Sequence, residues 1–377
     1  MRNRSDVQQS AGGILIHGAG SPGHAAVRQD FLARAAELGI DRFIEAGDDP
    51  QGVRFRLRPD LRRELAPACD TLRLGEKANL HALTGTAELE KEILLAMLLG
   101  PVVFEYPSYP ELAAAVRVRQ NIVEAARRSA LSFHTTKIER PEDCWTYTEE
   151  SGFTLVPGKP LIEALRKATQ PELSGRQYAF SCYRASEYVL LLGIAQELAN
   201  SNPALLHRLQ RQWESRAIMS QQFHDVFLRE YGSMSEPLPP GYYVPGDRLW
   251  FRNPDAYSSD VAGYEGSWVF YLGGGLFSNF WKSDQPYSMA AKCVEIYHWR
   301  SGVYRDAAGD LQMDETAVEE RVHAAMSDPV EVGRILERMV RLRDPQGVYA
   351  DGGCIDASRE YPRWVCPGTS DIILPGR

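Results

Sequence analysis

The residue best placed for chemistry is a cysteine, Cys182, at the end of the segment Tyr178-Ala-Phe-Ser-Cys182. Apolar residues between Tyr188 and Ala195 recur at helical spacing, so we predict that Cys182 begins a buried helix. Its thiol would lie at the positive end of the helix macrodipole, near unpaired backbone N–H groups. Both features, with the nearby cation of Arg184, favour the thiolate that a nucleophile needs. The alternative is a small apolar residue under a core helix, as most buried cysteines are.

Three unequal parts of the chain must position this cysteine. Residues 1–90 are an N-terminal accessory segment, residues 91–300 the core, and residues 301–377 a C-terminal helical and irregular extension. Besides the cysteine helix, periodicity predicts helices over residues 25–38, 88–99, 111–129, 205–231, 318–326 and 330–343. The strand-like runs are Ile14-Leu-Ile16, Leu249-Trp-Phe251, Trp268-Val-Phe-Tyr-Leu272 and Leu276-Phe-Ser-Asn-Phe280.

The order of these elements predicts an α+β fold. A cysteine-bearing helix followed by antiparallel strands resembles the layout of papain-like cysteine enzymes, including the NlpC/P60-like group. In that layout the cysteine helix packs on a small antiparallel sheet, and the general base comes from a later strand. The turn Pro245-Gly-Asp247 directly before Leu249-Trp-Phe251 is the kind of turn that opens a strand in such cores.

Four patches of sequence point to a narrower family. They are Phe104-Glu-Tyr-Pro-Ser-Tyr-Pro-Glu-Leu112 with its continuation Arg117-Val-Arg-Gln-Asn-Ile-Val-Glu-Ala-Ala126, then Tyr178-Ala-Phe-Ser-Cys182, Gly246-Asp-Arg-Leu-Trp-Phe-Arg-Asn-Pro254, and the strand ending Tyr271-Leu-Gly273. In order and spacing they resemble bacterial spore-coat-type protein-glutamine γ-glutamyltransferases. The resemblance extends over roughly residues 95–282 and implies that Cys182 is the nucleophile.

The resemblance also implies a reaction. The Cys182 thiolate would attack a glutamine carboxamide, expel ammonia and leave a thioester, which a lysine amine converts to an isopeptide bond. Backbone N–H groups at the start of the cysteine helix would stabilise the oxyanion. The expected partners are proteins with accessible glutamine and lysine side chains, and no cofactor or metal is expected.

The chain departs from the family at the residues that would assist the nucleophile. Ser181 replaces the glutamate that precedes the family's cysteine, Ser267 stands where its partner glutamate belongs, and Asn279 best matches its histidine. Glu265, two positions before Ser267, is the nearest substitute, because side chains two apart on a strand point to the same face. It would lie about 6.6 Å from the Ser267 position along the strand, so replacement needs a shift in register or a bulge. Asn279 can orient a partner and Ser267 can hydrogen-bond, but neither is an effective base.

The identity of the general base, and with it the function, therefore stays open at the level of sequence. Glu265, His298 and His224 are the candidate bases. The leading hypothesis is a transglutaminase-type acyltransferase that crosslinks proteins. The alternatives are a catalytically inactive relative that acts as a binding or scaffold module, and a cysteine amidase or deamidase that uses another base.

Composition excludes several other classes of protein. A net charge of −8 without a basic block argues against nucleic-acid binding. No segment reaches the roughly 18 continuous apolar residues needed to span a membrane, and the start of the chain lacks a long apolar signal region. The 6 cysteines lack CxxC spacing, which argues against a zinc site or a disulfide framework. We therefore expect a cytoplasmic protein with free thiols; its oligomeric state is unknown.

Two further patterns have functional and structural interpretations. Gly18-Ala-Gly-Ser-Pro-Gly23 formally matches a dinucleotide-binding loop, but Pro22 stiffens it and no second βαβ unit follows, so we favour a glycine-rich turn. The strand region is rich in aromatic residues, which are usual in a core and could in part line a groove beside Cys182. These aromatic residues are Trp250, Phe251, Tyr264, Trp268, Phe270, Tyr271, Phe277, Phe280 and Trp281.

Overall fold

Two larger β-sheets and three two-stranded sheets organise the chain in the computed structural model, which describes residues 12–18, 20–133, 139–344 and 352–375. The four-stranded sheet contains β1 (Gly13–His17), β2 (Ile44–Asp49), β3 (Gly52–Leu57) and β4 (Val103–Tyr106). Its spatial order is β2-β3-β1-β4, with β1 antiparallel to β3 and parallel to β4. The pairing of β1 with β4 ties the N-terminal segment to the core part of the chain.

Helix α1 (Gly20–Glu37) packs on this sheet, with the rings of Phe31 and Phe55 4.1 Å apart. The helix predicted over 25–38 is confirmed and begins earlier, at Gly20, inside the glycine-rich motif. Ala19 of that motif lies outside the described residues. Two short helices follow, α2 (Pro59–Leu65) and α3 (Leu74–Ala78).

A layer of helices forms the centre of the core. It contains α4 (Thr86–Leu99), α5 (Tyr109–Arg128), α6 (Leu161–Thr169), α7 (Pro171–Ser174) and α8 (Cys182–Ser201). The helices predicted over 88–99, over 111–129 and from Cys182 onward are confirmed. Helices α5 and α8 approach closely at Gly193, where a Cβ atom would lie 2.6 Å from the Ile122 side chain. The cysteine helix is thereby fixed against α5.

Short ribbons flank the helices: β5 (Ser132–Phe133) pairs in parallel with β8 (Ala179–Phe180), and β6 (Trp145–Thr148) pairs with β7 (Gly152–Leu155). Strand β8 leads directly into the cysteine helix. Arg140 holds it in place, because its guanidinium donates to the Ala179 carbonyl at 3.1 Å and lies 3.4 Å from the Phe180 ring centroid.

The prediction of one long helix over 205–231 is wrong in its second half. The chain instead forms α9 (Pro203–Ser215), α10 (Ser220–Phe227) and the strand β9 (Leu228–Tyr231). Ser220 has a φ of 58°, which a non-glycine residue rarely adopts without support. Glu187 of α8 provides that support by accepting the Ser220 backbone N–H at 2.6 Å. A tertiary contact, not local periodicity, therefore sets this boundary.

The six-stranded antiparallel sheet contains β9 together with β10 (Arg248–Arg252), β11 (Gly266–Gly273), β12 (Leu276–Phe277), β13 (Tyr287–Ser288) and β16 (Arg359–Pro362). Its spatial order is β13-β12-β11-β10-β16-β9. The predicted strands over 249–251 and 268–272 are confirmed, and the turn before β10 has Gly246 at a φ of 87°. The third predicted strand ends at Phe277. The extension over 301–377 contributes β16, between β10 and β9.

The remaining elements are α11 (Ala256–Ser259), α12 (Met289–Gly302), β14 (Val303–Arg305), β15 (Leu311–Met313), α13 (Glu315–Met326) and α14 (Pro329–Met339). Helices α13 and α14 confirm the helices predicted over 318–326 and 330–343, the second ending earlier, at Met339. Helix α12 packs against both and against the end of the six-stranded sheet, around buried Cys293, Val294 and Ile296.

Among the described residues, no helix is long and apolar enough to cross a membrane.

The turn between β11 and β12 depends on a buried carboxyl group. Glu92 of α4 accepts the Gly274 backbone N–H at 2.9 and 3.1 Å and the Tyr271 hydroxyl at 3.2 Å. Burial raises the pKa of Glu92 to about 7, although both hydrogen bonds lower it. The folded protein therefore binds a proton at Glu92 more tightly than the unfolded chain does.

We expect the contribution of Glu92 to the free energy of unfolding to fall as the pH rises from about 4.5 to 7. The Glu92 carboxyl has a pKa of about 4.3 in the unfolded chain and about 7 in the folded protein, so its stabilising contribution falls by up to about 4 kcal/mol between about pH 4.5 and 7. Glu92→Gln removes this titration. The difference in unfolding free energy between wild type and variant, measured in urea at pH 5 and pH 8, should favour the wild type more at pH 5. An equal difference at both pH values would contradict the prediction.

Candidate functional site

Cys182 is the first residue of α8, as the sequence predicts. Ser181 is the N-cap, and its hydroxyl accepts the Arg184 backbone N–H at 3.3 Å. The thiol lies against strand β11, where the backbone N–H of Trp268 interacts with the sulfur, as does the N–H of Tyr183. The site therefore has two backbone donors next to a partly buried sulfur.

The electrostatics of the thiol differ from the sequence expectation. Burial raises the pKa of Cys182, and the Glu265 carboxylate raises it further. The Trp268 N–H, the Lys292 ammonium and the Tyr183 N–H lower the pKa, in that order. The net direction is upward, so the expected preference for thiolate is wrong for the free protein. Desolvation outweighs the favourable position at the helix start.

The cation that lowers the pKa of Cys182 is also not the predicted one. The Arg184 guanidinium pairs with Glu187 at 2.6 Å and donates to the Ser220 hydroxyl at 3.0 Å, so its charge is directed toward α10. Lys292 of α12 acts on the thiol instead. Sequence reasoning missed Lys292, because a single lysine far along the chain carries no local signal of its position.

Glu265 precedes β11 and is exposed, and its charge acts on Cys182. One of its carboxylate oxygens also accepts the Gly263 N–H at 3.3 Å. Ser267 is buried and lies opposite Phe251 in the β10–β11 ladder. Strand alternation puts Ser267 on the face of Val269, which packs toward α12. Of these two residues, Glu265 carries the charge that reaches the thiol.

Asn279 is buried in the loop that follows β12. Its amide nitrogen donates to the Gln285 carbonyl at 2.9 Å. Its amide oxygen accepts the backbone N–H groups of Trp281 and Lys282 at 3.2 and 3.1 Å. Both ends of the amide therefore form hydrogen bonds with the backbone and stabilise the loop over residues 279–285.

The two candidate histidines face other carboxylates. His224 Nε2 lies 3.4 Å from Glu360 of β16. Burial lowers the pKa of His298 of α12, and the Glu331 carboxylate of α14 raises it by less. Of the three candidate bases, Glu265 is the one whose charge acts on the Cys182 thiol.

Aromatic side chains border the thiol on the sheet side. Trp268 contacts Tyr183 edge to face, with ring centroids 5.5 Å apart, and stacks on Trp250 at 6.0 Å. All three rings are partly exposed, whereas Phe270 and Phe251 are buried in the core. The aromatic set thus divides into core residues and a partly open surface next to Cys182.

Among the described residues, no group of three or more His, Cys, Asp and Glu side chains could hold a metal ion.

Comparison with known proteins adds a family and several relatives. The sequence model of the family described as protein-glutamine gamma-glutamyltransferase matches residues 73–373. Curated proteins of that name from Bacillus licheniformis, Halalkalibacterium halodurans and Bacillus subtilis are each 26% identical over 173, 215 and 189 residues. These alignments cover 45%, 54% and 48% of this chain and 64%, 67% and 69% of the relatives. The chain thus spans 64% of the length of the Bacillus licheniformis relative.

A solved structure also shows similarity. It is a transglutaminase from Geobacillus stearothermophilus, solved without its C-terminal extension, with 18% sequence identity and a TM-score of 0.38. The match covers 57% of this chain and 98% of that one.

Proposed function

Because the chain belongs to the protein-glutamine gamma-glutamyltransferase family, we propose that it transfers the γ-glutamyl group of a protein-bound glutamine to an amine through a thioester on Cys182. The observation that carries this proposal is the placement of Cys182 at the start of α8, with the N–H groups of Trp268 and Tyr183 at its sulfur. Backbone donors at that position suit the oxyanion of an acyl transfer. The partners would be proteins with accessible glutamine and lysine side chains.

The raised pKa of Cys182 means that the resting thiol is protonated, so the reaction needs a proton acceptor. We assign this role to Glu265, whose carboxylate is the anion acting on the thiol. Glu265 would take the thiol proton as sulfur attacks the carboxamide carbon, and the departing ammonia would carry that proton away. In the second half, Glu265 would take a proton from the attacking amine as the carbon–sulfur bond breaks, and then return it to sulfur.

Glu265→Gln should lower amine incorporation by about 10²- to 10⁴-fold, the usual contribution of a general base. Alkylation of Cys182 by iodoacetamide should not slow, because loss of the negative charge favours the thiolate. The matched control is Glu315→Gln, since the Glu315 carboxylate accepts the hydroxyl of the adjacent Tyr264 at 2.7 Å and glutamine keeps an acceptor there. Equal loss of activity in the two variants would refute the assignment of Glu265.

The function itself is tested by incorporation of a fluorescent primary amine into casein by the purified wild-type protein, with ammonia release measured in parallel. Labelling together with ammonia release supports transamidation. Ammonia release without labelling would replace the proposal by deamidation. Absence of both signals would reject an enzyme and favour the binding-module alternative.

We further propose that the core is of the papain-like type and that the protein acts in the cytoplasm. Support for the first comes from α8, which carries Cys182 at its N-terminus and packs on β11 of an antiparallel sheet. Support for the second comes from the cysteines, all of which are free thiols, the state that a reducing compartment maintains.

A further inference from the structure

Two cysteine side chains, Cys293 and Cys354, meet in the apolar cluster between α12 and the six-stranded sheet. Their sulfur atoms lie 3.4 Å apart, although the residues are separated by 61 positions along the chain. Both side chains are fully buried. All the cysteines of the chain lie among the described residues, and this is the pair whose sulfurs are within hydrogen-bonding distance of each other. The proposed reaction at Cys182 uses neither of them.

The backbone on both sides of this pair is fixed. Cys293 lies within α12. The Cys354 N–H donates to the Met339 carbonyl at the end of α14 at 2.9 Å, and the Cys354 carbonyl accepts the Arg252 N–H of β10 at 2.8 Å. A sulfur–sulfur bond is about 2.0 Å long, so each sulfur would have to move by about 0.7 Å. Thermal motion produces displacements of this size, so the approach requires no shift of α12 or β10.

Each thiol also has an acceptor for its hydrogen that is not the other cysteine. The Cys354 thiol donates to the Met339 carbonyl at 3.2 Å, and the Cys293 thiol donates to the Met289 sulfur at 3.8 Å. With the hydrogens placed this way, the two sulfurs face each other directly. Burial raises the pKa of Cys354 well above its ordinary value, and the contact with Cys293 raises it further. Cys354 is therefore a neutral thiol in the resting protein.

We propose that Cys293 and Cys354 form an oxidation-sensitive pair that a peroxide converts to a disulfide. One sulfur attacks a peroxide oxygen and the O–O bond breaks, so that a sulfenic acid forms and a first water leaves with the thiol proton. The second sulfur then attacks the first, the S–O bond breaks, and a second water leaves with the remaining proton. Two thiols and one molecule of hydrogen peroxide thus give one disulfide and two waters.

The bond would join α12 covalently to the segment that leads into β16, and so fasten the C-terminal extension to the core. Because the two cysteines are 61 residues apart, it would also restrict the unfolded chain. Hydrogen peroxide is small and uncharged, and local openings of the fold admit it to a buried pair. In a reducing compartment the bond would be a transient response to an oxidant.

The test is treatment of the folded full chain with hydrogen peroxide, followed by alkylation of the remaining thiols and mass spectrometry of a tryptic digest without reductant. Trypsin places Cys293 in the peptide 293–300 and Cys354 in the peptide 344–359, each with a single cysteine. We expect the two peptides to be linked, with the mass of two hydrogens lost, and to separate in dithiothreitol. Cys293→Ser and Cys354→Ser should lack the linked species, and Cys144, which is also buried, should remain a thiol.

The bond should form faster in the folded protein than in urea, and the oxidised wild type should unfold at a higher urea concentration than the reduced one. Sulfinic acid at either cysteine without a link, or a link that forms only after unfolding, would overturn the inference. An oxidised protein that is less stable than the reduced one would do the same. Should one serine variant fail to fold by circular dichroism, the other serves as the control. Casein labelling plays no part in this readout, so failure of the proposed function would leave it intact.

Discussion

Cys182→Ser should lower amine incorporation by about 10³- to 10⁶-fold, the range seen when an enzyme loses its nucleophile. A serine hydroxyl is far less acidic than a thiol, and a carboxylate such as Glu265 cannot ionise it at neutral pH. The measurement is initial-rate labelling of casein with a fluorescent amine. Ammonia release should fall in parallel, because both products depend on the same thioester.

A second cysteine offers the control for this variant. Cys366, in the C-terminal tail, is partly buried and contacts the Pro110 carbonyl at 3.7 Å through its sulfur. Cys366→Ser should retain near wild-type labelling, and both proteins should unfold within a few degrees of wild type. Full labelling by Cys182→Ser would assign the nucleophile elsewhere and refute the proposed thioester.

Asp247→Ala should lower the free energy of unfolding by about 3–5 kcal/mol, the usual cost of removing one partner from a buried ion pair. Asp247 is fully buried; one oxygen accepts Arg119 at 2.7 Å, and the other accepts the Tyr231 hydroxyl and the Val244 N–H. Without the carboxylate, the buried Arg119 guanidinium would keep the Pro245 and Val244 carbonyls as acceptors but would have no anion to balance its charge. Urea unfolding at constant pH measures the effect.

The ion pair connects helix α5 to the turn that precedes β10, so its loss should also disturb the sheet against which Cys182 lies. The matched control is Glu76→Ala, which breaks the Arg73–Glu76 pair on the surface, where both side chains are more than 60% exposed. That variant should leave the free energy of unfolding close to the wild-type value, because solvent screens an exposed ion pair. An equally small effect in Asp247→Ala would show that the buried pair is not a structural anchor.

Local signals in the sequence were sufficient for the elements that carry the nucleophile. The apolar run after Cys182 is buried on nearly every side of α8, and the turn Pro245-Gly-Asp247 lies where it is expected. Both depend on short-range physics: helical periodicity in one case and the tolerance of glycine for a positive φ in the other. The family match, over residues 73–373, extends on both sides of the resemblance recognised over about 95–282.

Local sequence patterns did not predict the contacts between segments that are distant along the chain. Strand β16 enters the six-stranded sheet from the C-terminal part of the chain, although its four residues, Arg359–Pro362, have no strong strand pattern. Ser220 breaks the predicted helix because Glu187 of another helix binds its N–H. In both places a partner distant in sequence decides the local structure, and periodicity has no access to that partner.

The sequence by itself determined which residue is the candidate nucleophile and that it begins a buried helix. Only the tertiary structure decided the charge environment of that residue. Burial, the Trp268 N–H, Lys292 and Glu265 shift the pKa of Cys182. Arg184, two residues away in sequence, pairs with Glu187 instead. The physical reason is that a helix and its capping residue are local in sequence, while desolvation and Coulomb interactions depend on which distant segments pack around the thiol.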